Sequence, residues 1–338
     1  MAVLFVTHPR YFDHDTGSGH PERPQRLTAV LEGAEQAGLG DELVWTEPRP
    51  AGDDDLERVH SRAYVEAVAR FCASGGGWLD DDTIARPESY QAARLAAGAG
   101  LTAVDRLDAG EASAAFCAIR PPGHHAEPTQ AMGFCLFNNV AVTAAALAGR
   151  GERVLIVDYD AHHGNGTQDT FIADPRVMYV SMHQFPLFPG TGRLDDVGTG
   201  PATGSTVNFP FPAGTTGDAF LAAVDEVVAP LSERWKPTWL LISAGFDAHR
   251  ADPLTGLGLS AGDYADLTLR LLELVPPPRR VAFLEGGYDL DALAASTSSC
   301  LAALAGSRLV PEPVTAGGPG RTVVGARKLV QDRLDALG

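Results

Sequence analysis

A short segment of alternating acidic and imidazole side chains is the first feature of this sequence that could carry chemistry. Asp158, Asp160 and His162 follow an apolar run that predicts a strand, so every second side chain lies on one face of the extended chain. Asp247, which follows another apolar run, supplies a further carboxylate. Two carboxylates and an imidazole neutralise a divalent cation and leave a coordination position for water, as in catalytic metal sites.

Two adjacent histidines form a second candidate group. His124 and His125 follow residues 121–123, Pro-Pro-Gly, a rigid turn that fixes the direction of both rings. Beside a metal-activated water, two imidazoles are suited to proton transfer. We expect Asp158 and Asn165 to be their partners, because a carboxylate raises the pKa of an imidazole and a neutral amide leaves it lower. The alternative is a pair of core histidines satisfied by the backbone.

Aromatic residues complete the candidate chemistry. Tyr288 follows two glycines at a predicted strand end, and its phenol is suited to donate a hydrogen bond to an oxyanion. Phe134 and Phe188 are expected to form walls at the entrance of the site. A serine or cysteine nucleophile is not expected, because the chain has no Gly-x-Ser-x-Gly elbow and no cysteine in an electropositive setting.

Alternating apolar runs and helical patterns must position these side chains. Strands are predicted at 3–6, 114–119, 154–157, 177–180, 239–242 and 281–284. Helices are predicted at 26–37, 63–72, 89–107, 138–148, 219–235, 261–274 and 323–337. The alternation favours a single α/β domain over 1–338, with a mostly parallel sheet, helices on both faces, and a tail and closing helix at 310–338. In such sheets ligands bind at the carboxyl ends of the strands, where all of the candidate residues fall.

Composition excludes several classes of protein. The chain has 338 residues, 45% of them apolar, and 43 acidic against 26 basic residues give a formal charge of −17. Such an acidic chain is not expected to bind a nucleic-acid backbone, and no apolar run is long enough to cross a membrane. Four widely spaced cysteines without a CxxC pair predict a reducing, cytoplasmic location. Oligomeric state stays open.

Seven sequence blocks resemble the zinc-dependent histone deacetylase family, in the superfamily shared with arginases. They are HPERPQRL at 20–27, RPPGHHA at 120–126, GFCLFNN at 133–139, DYDAHHGNGTQ at 158–168, FPGTG at 188–192, AGFDAHRADPL at 244–254 and LEGGYDL at 284–290. Asn165 and Glu285 are similar to the class II and bacterial branch, which includes deacetylase-like amidohydrolases, acetylpolyamine amidohydrolases and acetoin-utilisation proteins. The resemblance implies an arginase/deacetylase-like fold.

The resemblance also implies two cation sites. Asp160, His162 and Asp247 correspond to the ligands of Zn²⁺, and Fe²⁺ or Co²⁺ also suit this set. A structural K⁺ is implied at the side chains of Asp158 and Ser181 and the main-chain carbonyls of Asp160, His162 and Met182.

Catalytic roles follow from the same resemblance. His124 and His125 correspond to the tandem acid/base pair, with Asp158 as partner of the first and Asn165 as partner of the second. Tyr288 corresponds to the tyrosine that polarises the scissile carbonyl.

The resemblance further implies a narrow acyl-lysine tunnel. Gly133, Phe134, Phe188 and Leu254 correspond to residues that line it, and Arg26 to an arginine near an internal channel for acetate release.

The implied function is metal-dependent removal of acyl groups from lysine in peptides or proteins. Leu254, an apolar residue at the tunnel rim, favours this substrate over acetylpolyamines or other small acylamines, which remain an alternative. An arginase-like ureohydrolase and a catalytically weak acyl-amine binding or sensing module are further alternatives. Residues 80–82, three successive aspartates, are interpreted as a solvated loop in preference to a substrate contact.

Overall fold

The computed structural model describes residues 1–336, and its strands are short and mostly buried. In chain order they are β1 (Val3–Val6), β2 (Leu43–Thr46), β3 (Gly77–Trp78), β4 (Ile84–Ala85), β5 (Ala114–Cys117), β6 (Val154–Asp158), β7 (Val177–Gln184), β8 (Thr206–Phe211), β9 (Trp239–Ala244) and β10 (Arg280–Leu284). Eight of them form one sheet in the order β2-β1-β5-β10-β9-β6-β7-β8. Every neighbouring pair in that sheet is parallel, so the predicted mostly parallel sheet is entirely parallel. Strands β3 and β4 form a separate antiparallel hairpin.

Helices connect and cover these strands. They are α1 (Gln25–Gln36), α2 (Asp53–Leu56), α3 (Arg62–Ala73), α4 (Ser89–Asp108), α5 (Asn139–Gly149), α6 (Asn165–Phe171), α7 (Gly217–Ala223), α8 (Ala229–Trp235), α9 (Ala261–Leu272), α10 (Leu290–Leu304) and α11 (Arg321–Asp335). A π-helical turn, Val224–Val228, joins α7 to α8 within the single helix predicted at 219–235. The closing helix predicted at 323–337 corresponds to α11, and Leu337 lies outside the described residues.

Complete burial of the central strands shows how the core is built. Every residue of β1, β5, β6, β9 and β10 is buried. Because successive side chains point to opposite faces, both faces of these strands must be covered. Helix α10 packs between α1 and α9, and α4 packs on α5. This arrangement confirms the predicted α/β class with helices flanking the sheet.

Some elements were not predicted from the sequence. Strand β8 contains Pro210, which weakens a strand pattern, and β2 is a short edge strand with Trp45 exposed. Helix α10 includes a Ser-Thr-Ser-Ser run of low helical propensity, and it is stabilised by packing against α1 and α9. The strand predicted at 114–119 ends earlier, at Cys117.

Four adjacent strands bring the candidate residues together. The order β5-β10-β9-β6 places the segments that follow these strands side by side at one edge of the sheet. These segments carry the tandem histidines, Tyr288, Asp247, and the Asp160–His162 pair. Across residues 1–336, none of the helices combines the length and hydropathy that crossing a bilayer requires.

Candidate active site

Asp160, His162 and Asp247 converge on one point at the carboxyl edge of the sheet. One ligand atom from each lies within 4.8 Å of the others. The Nδ1 atom of His162 is 3.2 Å from Oδ1 of Asp160 and 2.9 Å from Oδ2 of Asp247. Both carboxylates are buried, and 11% of the His162 side chain is exposed. Two carboxylates and one imidazole at these distances fit a divalent cation such as Zn²⁺.

Main-chain groups hold the two carboxylates in place. The N–H of Gly286 donates to Oδ2 of Asp160 at 2.8 Å, and the N–H of Ala161 donates to Oδ1 of Asp247 at 2.7 Å. A Cβ atom at Gly286 would overlap the Asp160 and Asp247 carboxylates, so only glycine allows the backbone to approach this closely. Gly286 therefore allows the main chain to pack against the two carboxylates.

The electrostatics of this cluster favour binding of a cation. Burial lowers the pKa of His162, but hydrogen bonds with Asp160 and Asp247 raise it to about 10. Burial and the nearby Asp160 raise the pKa of Asp247 to about 7. Two carboxylates this close favour a positive charge between them, such as a proton on His162 or a metal ion.

His124 lies against the expected carboxylate of Asp158 and also near that of Asp160. Its Nδ1 is 3.0 Å from Oδ2 of Asp158, and its Nε2 is 3.9 Å from Oδ2 of Asp160. Burial lowers its pKa, but Asp160 and Asp158 together raise the pKa to about 10. The Tyr179 hydroxyl also donates to Asp158, at 3.0 Å. The two carboxylates therefore favour the protonated form of His124.

His125 has a neutral amide as its partner, and burial favours the neutral form of its ring. Its Nδ1 lies 2.8 Å from Oδ1 of Asn165, and the Asn165 amide nitrogen donates to the Glu127 carboxylate at 2.8 Å. The amide is thereby oriented with its carbonyl toward His125, so Nδ1 carries the hydrogen and Nε2 keeps a free lone pair. Burial and the charge of His124, whose ring centroid is 4.0 Å away, hold the pKa of His125 well below its usual range.

Tyr288 lines the same cavity as His162 of the candidate metal-binding cluster. Burial raises its pKa well above the usual value, so its hydroxyl remains a donor. Its N–H donates to Oδ2 of Asp252 at 2.8 Å. The fully buried Arg26 lies with its guanidinium carbon 5.0 Å from the Tyr288 ring centroid, and it donates to the carbonyl of Gly287 at 2.6 Å. Arg26 therefore packs against the tyrosine ring and fixes the main chain that precedes it.

A cavity of about 250 Å³ leads from the surface to these groups. The lining includes the four predicted tunnel residues, Gly133, Phe134, Phe188 and Leu254, and the site candidates His125, His162 and Tyr288. Asp82 and Leu187 complete it. Phe188 meets the His125 ring edge to face at 5.1 Å, and Phe134 meets Tyr288 at 5.9 Å. Phe134 has a φ of +69°, which is rare for a bulky residue and is typical of functional sites.

The remaining predicted residues are placed as follows. Asp158 pairs in register with Ser181 between β6 and β7, and Met182 is the next residue of β7. The hydroxyl of Ser181 is hydrogen-bonded to Nδ1 of His183 at 2.8 Å. The interpretation of residues 80–82 as a solvated loop is wrong for Asp82, which is half-buried and lines the tunnel.

Glu285 is the main residue of the site to which the sequence reasoning gave no role. Its buried carboxylate accepts hydrogen bonds from the N–H groups of Gly123 and His124, at 2.7 and 3.2 Å. Burial raises its pKa to about 7. Its position directly before the Gly-Gly-Tyr segment, at the end of a buried strand, was the available signal.

Comparison with known proteins identifies a family and a similar solved structure. The histone deacetylase domain family matches residues 20–304. A probable deacetylase of Archaeoglobus fulgidus is 39% identical over 313 residues, which cover 90% of this chain and 87% of that protein. Histone deacetylase 10, chloroplastic, of Oryza sativa subsp. japonica is 38% identical over 326 residues, covering 90% and 73%. The crystal structure of the HDA15 HD domain superposes with a TM-score of 0.90 at 34% identity, covering 98% of this chain and 94% of that one. This match confirms the predicted fold class.

Proposed function

The chain belongs to the histone deacetylase domain family, and on that premise we propose that it removes acetyl or other acyl groups from the ε-amine of lysine in peptides and proteins. The observation that carries this proposal is the asymmetry of the histidine pair. Nδ1 of His124 lies 3.0 Å from a carboxylate oxygen of Asp158, which favours a protonated ring, whereas Nδ1 of His125 lies 2.8 Å from the neutral amide oxygen of Asn165. Such a pair can accept one proton and stabilise negative charge in the same site.

Asp160, His162 and Asp247 would hold the divalent cation, which we propose to be Zn²⁺. Its donor set of two carboxylates and one imidazole leaves a coordination position for substrate or water. When bound, the cation supplies Lewis-acid polarisation of the acyl carbonyl and lowers the pKa of water.

Histidine and tyrosine side chains perform the proton transfers and stabilise the developing charge. His125 takes a proton from the attacking water at its free Nε2, as the water oxygen bonds to the acyl carbon. Tyr288 donates a hydrogen bond to the carbonyl oxygen as negative charge develops there. The carbon–nitrogen bond then breaks, and the proton held by the histidine pair passes to the leaving amine. Free carboxylate and lysine are the products.

The shape of the tunnel supports a lysine substrate. Phe134 and Phe188 present apolar faces in a cavity of about 250 Å³, which suits the methylene chain of an acylated lysine. Leu254, 39% exposed at the rim, adds apolar surface and no charge.

Two further assignments belong to this proposal. A structural K⁺ is proposed at Asp158, Ser181 and the carbonyls of Asp160, His162 and Met182. A cytoplasmic location is proposed as well, because the four cysteines, all within the described residues, are buried and unpaired, in keeping with a reducing compartment.

Release of free acetate, measured together with metal content, tests the function. The purified protein is incubated with an acetyl-lysine peptide and, separately, with acetylspermidine. We expect about one divalent metal per chain and acetate from the peptide at the higher kcat/KM. If only acetylspermidine released acetate, the substrate would be a small acylamine instead of acyl-lysine in proteins. Stoichiometric metal without acetate from either substrate would favour a binding or sensing role.

A further inference from the structure

A second cavity opens beside the tunnel, and we propose that it binds a basic side chain of the peptide that flanks the acyl-lysine. This inference rests on the proposed function and specifies its substrate class. The cavity, here called the side groove, has a volume of about 440 Å³. Its walls include Thr16, His20, Pro21, Trp78, Asp81 and Ile84.

The side groove lies next to the tunnel and shares two of its lining residues. Phe134 and Asp82 line both cavities, so together they form the partition between the two openings. A peptide can fill both cavities, with one side chain in the tunnel and a neighbouring side chain in the groove. The occupant that fits is therefore a residue adjacent or near to the acyl-lysine.

The walls of the side groove are fixed by local structure. Strands β3 and β4 pair Trp78 with Ile84 across a tight turn, in which Oδ1 of Asp80 accepts the N–H groups of Asp82 and Thr83 at 3.0 and 2.6 Å. The turn therefore presents Trp78 and Asp81 in a defined geometry instead of as a free loop.

His20 joins the two sides of the groove. Its Nε2 donates to the carbonyl of Asp82 at 2.9 Å, and its Nδ1 accepts the N–H of Glu22 at 3.1 Å. Its ring meets Phe134 edge to face at 4.8 Å. The Phe134 N–H in turn donates to the Thr83 hydroxyl at 3.1 Å. The groove is preorganised, which lowers the entropy cost of binding a side chain there.

The chemistry of the side groove selects a cation. Trp78 is 61% exposed, an unusual state for an indole, and it offers a face for a cation–π contact. Asp81 is exposed next to it, and Asp82 is half-buried. Of the described residues that line the two cavities, none is lysine or arginine. Apolar surface from Trp78 and Ile84 suits the aliphatic stem of lysine or arginine, and the acidic groups suit its charged end.

Binding and turnover of matched peptides test this assignment. Acetyl-lysine peptides with arginine, alanine or glutamate on both sides of the acetyl-lysine are compared by Kd in fluorescence anisotropy and by kcat/KM for acetate release. We expect the arginine peptide to bind about tenfold more tightly than the glutamate peptide at low ionic strength. The preference falls in high salt, because exposed charges are screened.

Two variants assign the preference to the groove. Trp78→Ala and Asp81→Asn are each expected to reduce the arginine-over-alanine ratio by about two- to fivefold. Asp41→Asn is the control. Asp41 is exposed and precedes β2, so it lies at the amino-terminal end of that strand, away from the carboxyl ends where the site is. The variant removes the same charge and is expected to keep the ratio. Asp81→Asn preserves side-chain shape at an exposed position, so it carries the test even where Trp78→Ala disturbs the hairpin.

Three results would overturn the inference. The first is equal Kd values for the three peptides in the unaltered protein, and the second is an arginine preference that persists in both variants. The third is loss of acetylspermidine binding in both variants without a change in the peptide ratio, which would assign the groove to polyamines. Absence of acetate from every substrate would contradict the proposed function. Because anisotropy measures binding without turnover, the Kd values would still test whether the side groove binds a basic side chain.

Discussion

Glu285 and His124 are joined through the main chain: the buried Glu285 carboxylate accepts the His124 N–H at 3.2 Å, and the same oxygen accepts the N–H of Gly123 at 2.7 Å. These hydrogen bonds tie the end of β10, which leads into Tyr288, to the segment that carries the tandem histidines. One side chain thereby fixes the distance between the proton-transfer groups and the oxyanion donor.

Two substitutions of Glu285 distinguish its role as a hydrogen-bond acceptor from the role of its negative charge. Glu285→Ala leaves two buried N–H groups without an acceptor, and we expect it to lower the free energy of unfolding by about 2–6 kcal/mol and kcat by at least about tenfold. Glu285→Gln keeps a carbonyl oxygen at the same place and should restore most of both. Urea denaturation and steady-state kinetics provide the measurements. Equal behaviour of the two variants would show that the hydrogen bonds do not anchor the segment.

Tyr288→Phe removes the proposed oxyanion donor while keeping the ring. We expect kcat to fall by about 10²–10³, with KM nearly unchanged, because the hydrogen bond strengthens only as charge develops. Tyr264→Phe is the control. Tyr264 is buried, and its hydroxyl lacks a hydrogen-bond partner among the described residues. Near-normal turnover by Tyr288→Phe would eliminate its role.

Substituting the partners of the two histidines should shift the two limbs of the pH profile in opposite directions. Asn165→Asp places a carboxylate on His125 and raises its pKa, so the base becomes neutral only at higher pH. The acidic limb of the kcat/KM profile should therefore shift upward by about one pH unit or more. Asp158→Asn removes a carboxylate that raises the pKa of His124, so the alkaline limb should shift downward. Limbs that stay in place, or move the other way, would contradict the assigned protonation states.

Loss of one carboxylate should abolish metal retention. Asp247→Asn leaves Asp160 and His162, and we expect the metal content after dialysis to fall from about one to below about 0.1 per chain, with activity lost. Chelation of the unaltered protein should lower Tm, and added Zn²⁺, Fe²⁺ or Co²⁺ should raise it, since a ligand that binds only the folded state stabilises that state. Asp41→Asn is the matched control. Full metal content in Asp247→Asn would disprove the ligand set.

Acid should destabilise the protein through buried neutral histidines. Burial lowers the pKa of His60 from 6.5 to about 4, and its Nε2 must stay unprotonated to accept the Asn138 N–H at 2.9 Å. Between these pH values the unfolded chain binds a proton that the folded chain does not, so stability falls as pH decreases. The full effect is about 3 kcal/mol.

His60→Gln tests this contribution by urea denaturation at pH 7, 6 and 5. The variant should show a flatter decline with falling pH, and His8→Gln, at a half-buried histidine near the N-terminus, should keep the original decline. An unchanged slope in His60→Gln would exclude His60 as a source of acid sensitivity.

The sequence alone indicated most of the residues that meet at the site. The alternation of Asp158, Asp160 and His162 after an apolar strand, and the position of the other candidates after further buried strands, were sufficient because parallel strands end at a common edge. The choice of Asp158 and Asn165 as partners of the two histidines also followed from residue chemistry, and the structure places both within 3.0 Å of those rings.

Tertiary structure alone decided the contacts that depend on residues far apart in the chain. Glu285 lies 161 positions from His124, and no local pattern predicts that its carboxylate caps that backbone. The side groove likewise requires His20 to reach Asp82, 62 positions away, across two loops. Local spacing determines which side chains share a face, whereas burial and the packing of distant segments determine which carboxylate anchors the backbone and which cavities lie side by side.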